Sequence, residues 1–79
     1  MLRRRRSLKV RSECITKVKL AVWRNGFARQ IDLAEELSLS LATISNYLNA
    51  KPVYVNNFYE ISEKLNLDWN EIADWDNKK

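Results

Sequence analysis

The sequence predicts an all-α fold, a compact domain of five short helices. Apolar residues recur at spacings of three and four, and the alternation typical of strands is weak. One glycine and one proline interrupt the 79 residues, which suits short helices joined by short turns. A single cysteine excludes an internal disulfide, and without histidine a structural zinc site has almost no ligands. We therefore expect no metal, and a core made by apolar packing.

The first helix is predicted from about Ser12 to Asn25. Ser12 is a candidate N-cap, because serine hydroxyls accept hydrogen bonds from the amides of the first helical turn. Gly26 can adopt the left-handed conformation that ends a helix. The inward face is predicted to hold Ile15, Val18, Ala21 and Val22.

The second and third helices are predicted at residues 29–37 and 40–49, with Ser40 as the N-cap of the third. The small side chain of Ala34 lets the two helices approach closely. This spacing is typical of a helix-turn-helix, whose second helix enters the major groove of DNA. The residues predicted to lock the pair together are Leu37, Leu39, Ile44 and Tyr47.

Two further helices are predicted beyond Pro52, which disfavours helical geometry at the residue before it. The fourth covers about residues 56–65, with Asn66 as a left-handed stop. The fifth covers about residues 69–74. Asp68 and Glu71 have the spacing of a capping pair at its start.

Charge is distributed unevenly. Residues 1–19 carry eight basic side chains and one acidic one, whereas residues 20–79 carry six basic and nine acidic ones. This asymmetry predicts a basic, flexible arm at residues 1–11, a domain at residues 12–75 and a frayed tail at residues 76–79. Basic arms bind nucleic acid or anionic membranes. The arm residues expected to contact DNA are Arg3, Arg4, Arg5, Arg6 and Lys9.

The stretch "QIDLAEELSLSLATISNYLNAK" resembles the helix-turn-helix of the Cro and phage-repressor (XRE-type) family. More closely, residues 14–73 are similar to the N-terminal helix-turn-helix domain of large cyanobacterial NTPase and WD-repeat proteins. The segments "ATISNYLNAKPV" and "NNFYEISEKLNLDWNEIAD" carry this second resemblance. It implies a five-helix, lambda-repressor-like domain that binds double-stranded DNA and regulates transcription.

The chain departs from this family at several positions. Ser38 and Ala50 occupy turn positions where relatives have glycine, and Ala28 replaces a Thr or Ser that caps the second helix. Relatives often carry basic residues at the positions of Leu41 and Asn46. Residues 37–50 contain no charged side chain, so the arm would have to supply the electrostatic attraction to DNA.

The resemblance implies which residues contact DNA. Gln30, Asn49 and Lys51 would contact phosphates. Asn46 is the best candidate base reader, because its amide can form a two-point contact with adenine, and an A·T-containing half-site is expected. The residues expected to face the bases are Ser40, Leu41, Ala42, Ser45 and Asn46. The arm would contact either the backbone or a narrow minor groove, and the sequence does not choose between them.

Oligomeric state and rival functions stay open at this level. Trp69, Ile72 and Trp75 form a possible dimer patch, unless Trp69 and Ile72 close the core.

The expected function is a small, repressor-like transcription regulator. A protein-interaction adaptor with the same fold and an antitoxin or phage and plasmid control protein are the alternatives. Membrane-surface binding by the arm is disfavoured, because only Leu2, Leu8 and Val10 offer apolar contacts.

Other classes of protein are not expected. An enzyme, a cofactor and a small-molecule substrate are disfavoured by the lack of histidine, of a glycine-rich phosphate loop and of paired carboxylates in a plausible pocket. No apolar run approaches the ~20 residues that span a bilayer. No apolar signal segment follows the basic start, so a cytoplasmic location is expected.

Overall fold

The computed structural model describes residues 7–74, which form mostly short helices. In chain order the elements are β1 (Ser7–Leu8), a 3-10 turn (Ser12–Cys14), α1 (Ile15–Arg24), α2 (Gln30–Leu37), α3 (Leu41–Leu48), β2 (Val53–Tyr54), α4 (Val55–Lys64) and α5 (Trp69–Ile72). The predominance of helix confirms the main part of the predicted fold class. The two strands correct it, because the described chain is not purely α-helical.

The two strands form a small antiparallel sheet. Ser7 pairs with Tyr54, and Leu8 pairs with Val53. Leu8 is buried and the next residue, Lys9, is exposed. A strand of two residues is too short to produce a recognisable period-two pattern. The sheet therefore depends on contacts between segments that are far apart in the sequence.

The predicted boundary between arm and domain also differs from the structure. Leu8 and Val10 belong to the core, at 3% and 0% exposure. The backbone of this segment is tied to the other end of the described chain: Arg11 N donates to Ile72 O at 2.8 Å, and Asp74 N donates to Lys9 O at 2.7 Å. Residues 7–11 are thus part of the globular unit, because their apolar side chains and backbone groups find partners there.

Three N-cap residues were predicted, Ser12, Ser40 and Asp68, and the structure confirms two of them. Ser40 caps α3, its hydroxyl accepting from Thr43 N at 3.1 Å. Asp68 caps α5, its carboxylate accepting from Asn70 N at 3.0 Å. Ser12 is not a cap: it begins the 3-10 turn, whose N-cap residue is Arg11. Helix α1 consequently starts at Ile15.

Four helices end in the same way. A residue with positive φ follows each of α1 to α4, and the next residue donates its N–H to the carbonyl five positions earlier, which is a Schellman motif. Only one of these residues is glycine. Their φ angles are 90° at Gly26, 58° at Ser38, 60° at Ala50 and 59° at Asn66. The predicted stops at Gly26 and Asn66 are confirmed.

The core lies between α3 and α4, with α1, α2 and the sheet around it. Tyr47 and Phe58 pack with ring centroids 5.2 Å apart. Ala34 is 1% exposed on α2, which packs against α3, as expected for a small residue at that contact. Ile44 is fully buried, whereas Leu37 and Leu39 are half-buried beside the core.

The predicted dimer patch is not available as a unit. Ile72 is 0% exposed within the core, so it has no surface to offer a second copy. The ring of Trp69 is half-buried and packs on Tyr59, with centroids 4.7 Å apart. Trp75 lies outside the described residues. Helix α5 ends at Ile72, earlier than predicted, because Ala73 forms an extended bridge with Val10.

Candidate nucleic-acid interface

Helix α3 has one buried and one accessible face. Ile44, Tyr47 and Leu48 point into the core. Four of the five residues predicted to face DNA bases share the accessible side, where Leu41 is 46% exposed. The others in this set are Ala42, which is exposed, and Ser45 and Asn46, which are half-buried. This surface is uncharged and mixes apolar, hydroxyl and amide groups.

Three of the predicted contact residues, Ser40, Ser45 and Asn49, already have side-chain partners in or next to the helix. The Ser40 hydroxyl lies 2.9 Å from Thr43 Oγ1, in addition to its capping bond. Asn49 Nδ2 donates to Ser45 O at 2.7 Å and lies 3.3 Å from Ser45 Oγ. These bonds stabilise the two ends of α3. A phosphate contact by Asn49 would therefore compete with these bonds for the two N–H groups of its amide.

Asn46 borders a cleft of mixed polar and apolar lining at the edge of α3. The cleft has a volume of about 260 Å³. Its lining residues are Ser7, Thr43, Asn46, Pro52, Val53, Tyr54 and Asn57. Among residues 7–74, the side-chain amide of Asn46 has no hydrogen-bond partner, whereas its backbone carbonyl accepts from Asn49 N at 3.2 Å and from Lys51 N at 2.8 Å. The amide is thus free to bind an external group.

The same cleft places the start of the described chain beside α3. Ser7 lines it together with Asn46 because β1 pairs with β2 directly after the turn that follows α3. The arginine run "RRRR" at residues 3–6 is attached at Ser7. Residues 3–6 lie outside the described part of the chain, but their point of attachment is next to the predicted base reader. Lys9, the fifth predicted arm residue, is exposed and lies 3.9 Å from Asp74.

The first turn of α2 holds the predicted phosphate contact Gln30 next to a local ion pair. Arg29 Nη2 lies 2.9 Å from Asp32 Oδ1, and Asp32 also accepts from Arg29 N at 3.1 Å. The hydrogen bond from Arg29 lowers the pKa of the Asp32 carboxyl, and the same bond raises the pKa of the guanidinium. Arg29 donates all of these bonds and, as the N-cap residue, makes no side-chain capping bond to the first-turn amides, so α2 begins without the cap that a Thr or Ser would supply. Gln30 itself is exposed.

A second cleft, of about 250 Å³, joins Gln30 to α1. Lys19 and Trp23 line it, and Trp23 is 72% exposed. A basic side chain and an accessible aromatic ring beside the start of α2 form a surface suited to a sugar-phosphate backbone. The prediction from sequence did not include Lys19 among the DNA contacts.

The basic residues of the described chain are mostly neutralised. Residues 7–74 carry eight basic and nine acidic side chains. Five of the basic side chains lie within 4 Å of an acidic group, namely Lys9, Arg11, Lys17, Arg29 and Lys64. Within this part of the chain, Lys19, Arg24 and Lys51 have no such partner. Lys19 lines a cleft with Gln30, and Lys51 lies three residues after the end of α3, so two of the three are close to the helix pair.

Thr43, Tyr54 and Asn57 are further polar residues of the cleft that the sequence did not indicate. Tyr54 is 69% exposed, and the Asn57 side chain is half-buried. Their grouping with Asn46 depends on how β2 and α4 follow α3. The only local signal is the polar and aromatic segment "PVYVNN" directly after the third helix.

Comparisons with known proteins give no assignment. No protein-family model, curated protein or solved structure matches the chain.

No helix of residues 7–74 has the length and apolar character needed to cross a bilayer. The same residues contain no cluster of three or more potential metal ligands.

Proposed function

We propose that the protein is a small transcription regulator with a lambda-repressor-like helix-turn-helix, which binds double-stranded DNA sequence-specifically. In this proposal α3 enters the major groove and the arginines at positions 3–6 contact the backbone or the minor groove. A cytoplasmic location and a repressor-like role are part of it. The resemblance of residues 30–51 to the XRE-type motif is its sequence basis.

One structural observation carries the proposal: Ser7 and Asn46 line the same cleft. The uncharged helix face and the arginine run are complementary halves of a DNA-binding surface, since one can read base edges and the other can neutralise phosphates. Their adjacency allows both to act on one DNA site. Separate positions on the molecule would have favoured an arm with a different role.

The distribution of basic residues without acidic partners also supports DNA binding. Lys19 and Gln30 border one cleft, and Lys51 lies three residues after the end of α3. These groups lie close to the proposed helix pair, where they would contact the phosphates that flank a major groove. Asn46 would contact adenine, and Leu41 and Ala42 would pack against thymine methyl groups.

Selection from a random duplex pool tests the proposal. The intact protein is compared with a variant lacking residues 1–6, a deletion that leaves the buried Leu8 and Val10 in place. We expect one enriched, A·T-containing motif for both proteins and weaker binding for the deletion variant. The absence of an enriched motif with either protein would show that sequence-specific binding is wrong.

A protein-interaction adaptor is the second candidate, and one observation favours it. Residues 7–74 carry a net charge of about −1, and Glu60 and Glu63 form no ion pair within them. An antitoxin or phage and plasmid control protein would share the DNA chemistry and differ in its biological partner. Homodimerisation stays a prediction, and its proposed patch loses Ile72 to the core.

A further inference from the structure

A groove runs between the end of α2 and the second half of α4. Its volume is about 520 Å³. The lining residues are Glu36, Leu37, Tyr59, Glu60, Glu63 and Lys64. The proposed DNA contacts do not include any of these residues, so the groove has no role in the function proposed above.

The groove combines negative charge with an apolar and aromatic floor. Lys64 Nζ lies 3.0 Å from Glu36 Oε2, so these two charges neutralise each other. Glu60 and Glu63 are exposed and have no ion-pair partner among residues 7–74. Leu37 is half-buried, and Tyr59 is 37% exposed with its ring held against Trp69. The two unpaired carboxylates therefore lie next to a fixed aromatic ring.

We propose that this groove binds residues 1–6 of the same chain, "MLRRRR". The segment carries four arginines and one leucine, which complement two free carboxylates and an apolar floor. Guanidinium groups bind carboxylates in a two-point geometry and stack on aromatic rings such as that of Tyr59. Leu2 would contact the floor beside Leu37.

The position of Ser7 brings this segment within reach. Ser7 and Asn57 line one cleft, so the segment is attached beside the start of α4. Asn57, Glu60 and Lys64 are spaced by three and four residues and therefore share one face of that helix. Glu60 lies ~4.5 Å further along the helix axis than Asn57. Six extended residues span up to ~20 Å, which covers both free carboxylates.

Binding within one chain is favoured over binding between chains. A short tether gives a local concentration in the millimolar range, which compensates for weak individual contacts. Exposed ion pairs contribute little each and are screened by salt. The bound segment is thus expected to exchange rapidly with the free one and to be released at high ionic strength.

Docking of this segment goes beyond the proposed function and does not depend on it. If the DNA proposal is also correct, the groove and DNA compete for the same arginines. A segment held in the groove for about two thirds of the time would weaken DNA binding by ~3-fold. In that case the groove lowers the affinity of the protein for DNA, because it holds the arginines that would otherwise contact DNA.

Paramagnetic relaxation tests the docking directly. A nitroxide label is attached to Leu2→Cys in a Cys14→Ser background, because Cys14 is the one native cysteine. We expect strong broadening of the backbone amide signals of Tyr59, Glu60 and Glu63, and loss of this broadening in 1 M NaCl. Broadening that is absent from these amides would overturn the proposal.

Charge variants and mixed samples provide the controls. Glu60→Gln/Glu63→Gln should abolish the broadening, whereas Glu13→Gln/Glu71→Gln, with the same change in charge outside the groove, should keep it. Equal broadening in both double variants contradicts the assignment to this groove. Broadening of ¹⁵N-labelled, nitroxide-free protein by spin-labelled, ¹⁵N-free protein would place a second copy's segment in the groove and would also contradict the proposal.

A second measurement avoids the cysteine substitutions. Amide chemical shifts of the native protein are compared with those of the variant lacking residues 1–6. Docking predicts differences at Tyr59, Glu60 and Glu63 as well as near the point of truncation at Ser7. Differences confined to the neighbourhood of Ser7 argue against docking, whatever the protein does with DNA.

DNA affinity then links the two proposals. Glu60→Gln/Glu63→Gln is expected to tighten DNA binding by ~3-fold in the full chain and to have no such effect in the variant lacking residues 1–6. Equal tightening in both backgrounds would indicate general charge repulsion and contradict competition for the segment. A complete lack of DNA binding contradicts the proposed function alone, because the docking is measured without DNA.

Discussion

The hydroxyl groups of Tyr47 and Ser62 form a buried hydrogen bond of 2.8 Å between α3 and α4. Both side chains are 0% exposed, and no buried side-chain nitrogen or oxygen among residues 7–74 lacks a partner. This bond links the proposed reading helix to the helix that carries the acidic groove. Each hydroxyl thereby has a hydrogen-bond partner in place of water, and without one its burial would be costly.

Removal of the Ser62 hydroxyl should destabilise the protein more than removal of the Tyr47 hydroxyl. Ser62→Ala leaves the Tyr47 hydroxyl buried without a partner, at a cost of ~1–3 kcal/mol. Tyr47→Phe should cost less, about 1 kcal/mol, because Ser62 lies in a helix and can turn to the carbonyl one turn earlier. Urea unfolding of the two single variants and the double variant measures these terms. Strictly additive losses would contradict an energetic coupling between the two groups.

The stability should fall at alkaline pH through Tyr47. Burial raises the pKa of the Tyr47 phenol to about 12, and the bond with Ser62 offsets this only in part. An unfolded tyrosine ionises near pH ~10, so the folded state binds more protons above that pH. The contribution is complete below pH ~10 and is lost as pH rises toward ~12. Two pKa units correspond to about 2–3 kcal/mol.

Tyr47→Phe is the matched control for this pH dependence. The native protein should be about 1 kcal/mol more stable than Tyr47→Phe at neutral pH, and this difference should fall by about 2–3 kcal/mol and reverse sign across the interval from pH ~10 to ~12. Subtraction removes the contribution of lysines and of the exposed tyrosines, which both proteins share. A difference that stays constant over this interval would rule out a raised pKa at Tyr47.

Glycine at position 50 should stabilise the protein. Ala50 has a φ of 60°, a conformation that costs a non-glycine residue ~1–2 kcal/mol. Ala50→Gly removes this cost but adds flexibility to the unfolded chain, so a net gain of ~0.5–1 kcal/mol is expected. Ala42→Gly, the same change within α3, should instead destabilise by up to ~1 kcal/mol. Thermal unfolding of the two variants should show opposite signs.

Salt dependence should identify which charges hold DNA. Deleting residues 1–6 removes four arginines and should make the slope of log K against log salt less negative by ~3–4. Lys17→Gln is the control, because Lys17 lies 3.5 Å from Glu71 and is not among the proposed DNA contacts. Its slope should stay close to that of the native protein. An unchanged slope after the deletion contradicts backbone contacts by the arginines.

Substitutions should distinguish residues that read bases from residues that bind phosphates. Asn46→Ala is expected to change sequence preference, with a loss of ~1–3 kcal/mol on the preferred site only. Lys51→Gln and Lys19→Gln should weaken binding to all duplexes about equally and reduce the salt slope by about 1 each. Titrations with the preferred and a scrambled duplex distinguish the two patterns. A uniform loss for Asn46→Ala would contradict a base contact.

Much of the fold was predictable because its signals are local. Ser40 and Asp68 cap helices through bonds that reach only two or three residues along the chain. Asn66 and Gly26 end helices for the conformational reason that identified them. Ser38 and Ala50 differ from the glycines that the family has at these turn positions. Both residues nevertheless keep the positive φ of the turn, at a cost in backbone strain.

The remaining features depend on contacts between distant segments. Leu8 and Val10 look like part of a charged arm in the sequence, and only pairing with β2 and with Ala73 brings them into the core. On sequence alone Ile72 could belong to a dimer patch or to the core, and the structure places it in the core at 0% exposure. No local pattern encodes these pairings.

The candidate site divides in the same way. The sequence alone identified α3 and the uncharged character of its outer face, because helical periodicity and composition are properties of one segment. Only the tertiary structure put Ser7 beside Asn46, and with it the attachment point of the arginines beside the proposed reading helix. The physical reason is that a two-residue strand acquires its partner from the packing of the whole domain, and its own residues do not specify one.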